Sequence, residues 1–329
     1  MRVVVALGGN AILRRDQQMT VANQRASIAA ACEPLSRLAA EHELVVSHGN
    51  GPQIGLLALQ AAAYDHISEY PFDVLGASTE GMIGYLIEQE LGNRLGNERA
   101  VTTLVTRTEV DPSDPAFADP TKFVGPGYAD ADAAAATEQH GWTMKRDGSR
   151  MRRVVASPQP LQILELRPIQ WLLEKGAVVI CAGGGGVPTV RSDGIAEGHA
   201  DVLAGIEAVV DKDLASAVLA RDVGADLLIV ATDVRGVFVD WHGADERRIV
   251  RAHPDALDPL EFPAGSMRPK VQAAVQFASE RSGTAVIGSL EEIDEMLAGR
   301  AGTCVSRTFE GVEYEVTRRR RDDRRSSSG

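Results

Sequence analysis

The sequence predicts an α/β protein, a three-layer αβα sandwich with a largely parallel central sheet and a protruding lid subdomain. Three observations carry this. Short β-branched runs alternate with longer stretches of helical spacing, which implies parallel strands with helices on both faces. Three of those runs end in glycine-rich turns, as strands do at the carboxyl rim of such a sheet. One region, from Glu109 to about Arg153, breaks the alternation.

Residues 3–6, 44–47, 100–106, 178–182, 226–231 and 284–288 read as buried strands. Between them, Ile28, Cys32, Leu35 and Leu38 share one helical face, as do Val271, Ala274, Val275 and Ala278. Val237, Phe238 and Val239 follow Arg235-Gly236 and read as the second strand of a hairpin. The excursion 109–153 is rich in Asp, Pro and Gly, with a short helix expected at 130–136 and a charged stretch at 145–153. An irregular excursion of that length is usually functional or disordered, and it is read here as a lid. The tail 317–329 is charged and free of apolar residues, the composition of a disordered segment.

The 329 residues carry a formal net charge of −12. An acidic body lacks the basic face that sequence-independent nucleic-acid binding requires. No apolar run approaches the ~20 residues of a membrane span, and Met1-Arg2 leads directly into Val3 without a secretory segment. Cys32, Cys181 and Cys304 are odd in number and far apart, which argues against a disulfide framework or a zinc site and for core positions. A cytoplasmic protein without a metal site of its own is expected.

Only Lys122, Lys145, Lys175, Lys212 and Lys270 are lysines among 34 basic residues. Lysine is a compact point charge and arginine a wide planar fork, so a lysine retained in so arginine-biased a chain hints that an ammonium is needed. Chance explains any single one; coincidence with other signals separates Lys122, Lys212 and Lys270 from the rest.

Those signals are the turns. Gly8-Gly9-Asn10 follows the first strand, His48-Gly49-Asn50-Gly51-Pro52 the second, and Gly183-Gly184-Gly185-Gly186 the run at 178–182. One such turn needs no more than a glycine's access to positive φ. Three along one sheet edge point to anion sites built from backbone N–H groups and helix N-termini. None fits the P-loop pattern, and Gly49, Gly51 and Gly55 are only a loose relative of the dinucleotide fingerprint. Asp211-Lys212-Asp213 opens a helix, where acidic residues ordinarily cap, but a lysine between them can bind phosphate. Lys270 stands at another helix start, after Gly265 and Met267. Thr232-Asp233 ends a strand where a nucleotide can rest, and Lys122 lies in the lid. His48 reads as a residue that packs the turn.

Together these residues resemble the carbamate kinases of the amino acid kinase family, from Val3 to about Val305. The ordered set is specific: Ala6-Leu7-Gly8-Gly9-Asn10-Ala11, Ser47-His48-Gly49-Asn50-Gly51-Pro52-Gln53, Asp73-Val74-Leu75-Gly76-Ala77 with Gly81-Met82-Ile83-Gly84-Tyr85, Pro120-Thr121-Lys122, the tetraglycine turn, Asp211-Lys212-Asp213 and Gly265-Ser266-Met267. Four features depart from the pattern. Arg268 stands where glycine is common, Gly127 where the lid commonly has an aromatic, the stretch 192–203 is longer than usual, and the tail after Thr317 has no counterpart.

The resemblance implies one kinase domain over 1–312 and reversible phosphoryl transfer between ATP and carbamate, giving carbamoyl phosphate and ADP. It also implies Mg2+ carried with the nucleotide, service in arginine catabolism with ATP generation, and a homodimer. It assigns Lys212, Lys122, Asp211, Asp213, Gly9 and Asn10 to catalysis. Gly8, Gly49, Asn50, Gly51, Gly184 and Gly185 go to substrate binding, and Lys270, Met267, Gly265, Asp233 and Thr232 to the nucleotide. Either Asp211 or Asp213 could hold the Lys212 ammonium. Other readings are an acetylglutamate-kinase-like acid kinase, a non-catalytic nucleotide- or oxyanion-binding member of the fold and, more remotely, a nicotinamide enzyme.

Overall fold

A computed structural model describes residues 1–14, 17–64, 70–192, 202–243, 245–263, 267–280 and 283–315. In chain order its elements are β1 (Arg2–Leu7), α1 (Gly9–Ile12), α2 (Val21–Glu41), β2 (Glu43–His48), α3 (Gly51–Ala62), α4 (Phe72–Leu95), β3 (Val101–Thr103) and β4 (Arg107–Val110). Next come β5 (Lys122–Tyr128), α5 (Asp130–His140), β6 (Met144–Asp147), β7 (Arg150–Val155), β8 (Pro160–Ile163), α6 (Leu166–Glu174), β9 (Val178–Ile180), β10 (Val187–Ser192) and β11 (Val202–Gly205). The rest are α7 (Lys212–Val223), β12 (Leu227–Thr232), β13 (Phe238–Val239), β14 (Arg247–Ala252), α8 (Pro254–Leu257), α9 (Met267–Glu280), β15 (Thr284–Ser289), α10 (Ile293–Leu297), β16 (Thr303–Val305) and β17 (Val312–Tyr314).

The main sheet runs β13-β14-β16-β15-β12-β1-β2-β9-β3, with β17 beside β14. From β15 to β3 every pairing is parallel; Val5 of β1 registers with Val46 on one side and Ile229 on the other. Alternate residues of these strands point to opposite faces, so each face receives its own core. Val4, Val45, Val179 and Leu228 pack with Val218 of α7 and Phe277 of α9. Val3, Val5, Val46 and Ile229 pack with Ile28 and Leu35 of α2 and Ile83 of α4. Burial on both faces is why the strands read as continuous apolar runs.

The run at 100–106 is shorter than expected: the Leu104 N–H still donates to Ile180 of β9 at 2.9 Å, but Thr106 then gives its N–H to Glu80 and its hydroxyl to the tetraglycine turn. Phe238 and Val239 form the first strand of their hairpin rather than the second, pairing antiparallel with Arg248 and Arg247 that follow. A second sheet, β11-β10-β4-β8, lies outside the sequence expectation, and Glu109 belongs to it.

The rest of the excursion builds an antiparallel sheet, β5-β7-β6, on which α5 packs. The charged stretch 145–153 forms two of those strands and pairs its charges locally, Lys145 with Asp119 and Arg146 with Asp130. At Gly127 the stem of Arg150 covers the backbone. Against the body, Gly55 of α3 meets Gly125 so closely that a Cβ there would lie 2.8 Å from the Gly125 backbone. The tail 317–329 and most of the stretch 192–203 lie outside the described residues.

Candidate active site

The carboxyl ends of β9, β2, β1 and β12 are neighbours on one rim, so the three glycine turns and Thr232-Asp233 line up there. β1 is where the order reverses, with later strands added on both sides, and ligands of open α/β sheets settle at such a switch point.

Gly8 lies so close to β12 that a Cβ would sit 2.8 Å from the Ala231 carbonyl oxygen, whereas a Cβ on Gly9 would meet nothing within 4 Å. The Asn10 amide donates to Asp233 at 2.8 Å and ties the first turn to the end of β12. In the second turn Asn50 begins α3, but its amide turns inward and donates to the Thr79 hydroxyl at 2.8 Å. Asn50 therefore offers a ligand its backbone and the uncapped start of α3, with Gly51 open. Gly184 and Gly185 are buried against the Asn50 side chain and the Val210 carbonyl. They support the rim from behind.

Three lysines meet over these turns. Asp211 caps α7, accepting from the Asp213 N–H at 2.9 Å with one carboxylate oxygen, while the other accepts from Lys122 of the lid at 2.5 Å. Asp213 holds the other two ammonium groups, Lys212 at 2.6 Å and Lys270 at 2.9 Å. Asp213, not Asp211, therefore orients Lys212. The Lys212 stem passes beside the second turn where the first approaches it: a Cβ on Gly49 would lie 3.8 Å from both Lys212 Cδ and the Gly9 nitrogen. The Lys212 Nζ is buried, and its close ion pair with the Asp213 carboxylate is the contact that holds it.

Burial pulls the Lys212 pKa down to about 8, with Asp213 opposing and Lys270 assisting. Burial alone would raise the Asp213 carboxyl, but Lys212 and Lys270 overrule it and hold it below the usual carboxylate range. His48 is pushed down to about 4 by burial, so it is neutral at pH 7 and packs its turn under Gly183. Cys32 and Cys181 are buried core thiols, and Cys304 is only partly covered.

Met267 begins α9 and packs on the core, placing Lys270 one turn on; Gly265 lies outside the described residues. Arg268 donates its backbone N–H to Pro263 at 3.1 Å. Thr232 and Asp233 close the rim, 3.2 Å apart at their side-chain oxygens. Sequence reasoning missed Thr79, Glu80, Thr106 and Thr108, which hold the turns from beneath. Two shallow grooves lie at the opposite, amino-terminal end of the strands, away from the lysines. No described helix is long and apolar enough to cross a membrane.

The amino acid kinase family profile matches residues 1–289. The chain is 53% identical over 316 residues to a carbamate kinase of Rhizobium meliloti, covering 96% of each chain. To a carbamate kinase of Haemophilus influenzae it is 51% identical, covering 95% of this chain and 99% of the relative. Among solved structures, a carbamate kinase from Giardia lamblia bound to AMP-PNP superposes with a TM-score of 0.83 at 36% identity, over 93% of this chain and 98% of the other.

Proposed function

The chain belongs to the amino acid kinase family, and from that premise we propose how its rim carries out a carbamate kinase reaction, the reversible transfer of a phosphoryl group between ATP and carbamate. The acceptor is already an anionic oxygen, so no general base is required. The difficulty is to bring two anions together in line, and positioning with charge neutralisation supplies most of the catalysis.

Gly8, Gly9 and Asn10 cradle the transferring group. The second turn, Gly49, Asn50 and Gly51, receives the carbamate end at the start of α3. Lys212 bridges the two, held by Asp213; Lys270 reaches the nucleotide phosphates from α9, with Thr232, Asp233 and Met267 on the nucleotide side. Lys122 closes from the lid with Asp211 as its resting partner. The observation that carries this reading is the gathering of three ammonium groups at the start of α7, Lys122 on Asp211 and Lys212 and Lys270 on Asp213, with the Lys212 stem beside Gly49, a cluster of positive charge that an anionic ligand completes.

The rim carboxylates Asp211 and Asp213 are engaged by lysines, so the residues present suit a magnesium ion held by the nucleotide phosphates. When bound there it supplies further positive charge to those oxygens. A homodimer, a cytoplasmic location and ATP generation in arginine catabolism complete the reading. The test is ATP formation from carbamoyl phosphate and MgADP by the purified protein. ATP at a rate that rises with both substrates is the expected result; none under saturating conditions overturns the reading.

A further inference from the structure

The tetraglycine turn is the piece on which both acceptor-side elements rest. Gly183 lies against His48 and Gly184 against Asn50, while Gly185 lies against Val210, the residue before Asp211-Lys212. The spacing between the second turn and Lys212 is therefore set by how this turn is held. It begins at Ala182, which adopts a left-handed conformation, φ 51° and ψ 36°, that a residue with a Cβ seldom takes.

Three contacts keep it there. The Ala182 N–H donates to the Thr106 hydroxyl at 3.0 Å, and that hydroxyl in turn donates to the Leu104 carbonyl at 2.9 Å. The Val187 N–H donates to the Thr106 carbonyl at 2.7 Å, closing the far end of the turn on the same residue. The Thr108 hydroxyl donates to the Gly185 carbonyl at 2.7 Å. Thr106 itself is anchored by Glu80 of α4, whose carboxyl accepts the Thr106 N–H at 2.9 Å and whose stem lies under Gly183. Glu80 is 1% exposed and Thr106 wholly buried.

We infer that Glu80 and Thr106 are positioning residues of the acceptor subsite: they fix the Gly183–Gly186 turn, which holds the Asn50 turn and Lys212 at the separation that in-line transfer needs. The inference rests on the reading of those two places as the acceptor site. Burial raises the Glu80 carboxyl well above its ordinary pKa, with the Thr106 N–H opposing. The geometry uses one Glu80 oxygen as an acceptor for the Thr106 N–H, and glutamine keeps a carbonyl oxygen that can accept it.

The experiment measures separate KM values for carbamoyl phosphate and MgADP in T106V, T106S, E80A, E80Q and K212A. Misplacing reacting groups by about 1 Å can cost ~10²-fold. T106V and E80A should therefore raise the carbamoyl phosphate KM by about tenfold or more, leave the ADP KM within about twofold, and lower kcat. T106S and E80Q should restore the KM toward the wild-type value. Normal KM values in folded T106V and E80A, or equal rises in both, overturn the inference while K212A stays strongly impaired. Normal turnover by K212A overturns the acceptor-site reading itself. Should T106V or E80A not fold, E80Q and T106S still decide: a carbamoyl phosphate KM raised about tenfold in both would refute the hydrogen-bonding account.

Discussion

The Lys270 ammonium lies 2.9 Å from Asp213, the buried carboxylate that also holds Lys212, so two largely covered cations share one buried anion. Removing one partner of a buried ionic cluster costs about 3–5 kcal/mol, because the remaining charge is left uncompensated. Asp213→Asn should lower unfolding stability on that scale in urea titrations at pH 7. Phosphate at millimolar concentration should return part of the loss by taking the place of the carboxylate. In the wild type the Asp213 contribution is fully present above the ordinary aspartate pKa. It is lost only as pH falls through the depressed folded value.

Lys212→Ala should lower the rate of ATP formation by ~10²–10³-fold, the scale for losing one preorganised electrostatic donor. Lys212→Arg should not restore it. Asp213 holds the Lys212 ammonium as a compact charge, and the planar guanidinium cannot present a single charge at that point. Steady-state kcat in both variants decides; near-normal turnover in either removes the point-charge role.

Burial lowers the Lys212 pKa to about 8, and catalysis requires its charged form. The free-enzyme profile, kcat/KM against pH, should therefore fall by one proton as pH rises through about 8. Bound phosphates favour the ammonium, so the same limb in kcat should move to higher pH. For stability the sign is the reverse of a paired lysine: above about 8 the unfolded chain holds a proton that the folded one has released. This residue's contribution to stability then rises with pH up to the ordinary lysine range. A profile with no limb between pH 7 and about 10 would contradict the assignment.

Much of this site was legible because its chemistry is written locally. Glycines after strands, an Asp-Lys-Asp helix start and scarce lysines announce themselves in short windows, and the parallel sheet aligns them. Glu80 is different. It lies inside a helix, where a lone acidic residue reads as solvated, and only the packing of α4 beneath Gly183 shows it buried. Thr106 was read as the end of a strand, but its side chain belongs to a turn 76 residues later. The choice between Asp211 and Asp213 was equally closed to inspection, because both flank Lys212. It depends on Lys270 and Lys122 arriving from other elements.

Gly8 and Gly9 are adjacent yet should respond to alanine in opposite ways. A Cβ at Gly8 would press to 2.8 Å on the Ala231 carbonyl oxygen, a backbone atom of a central strand that cannot swing aside. Overpacking of that kind costs about 1–3 kcal/mol, so Gly8→Ala should lose both stability and activity. At Gly9 the Cβ meets nothing within 4 Å, and replacing a glycine by alanine where the backbone tolerates it gains about 0.4–1 kcal/mol. Gly9→Ala should therefore melt at or above the wild-type temperature while its kcat for ATP formation falls by about tenfold or more, since the methyl enters the space the phosphoryl group needs. Thermal unfolding and turnover measured on the same preparations separate the two. If Gly9→Ala retains full activity, the open space above the first turn is not where the phosphoryl group passes.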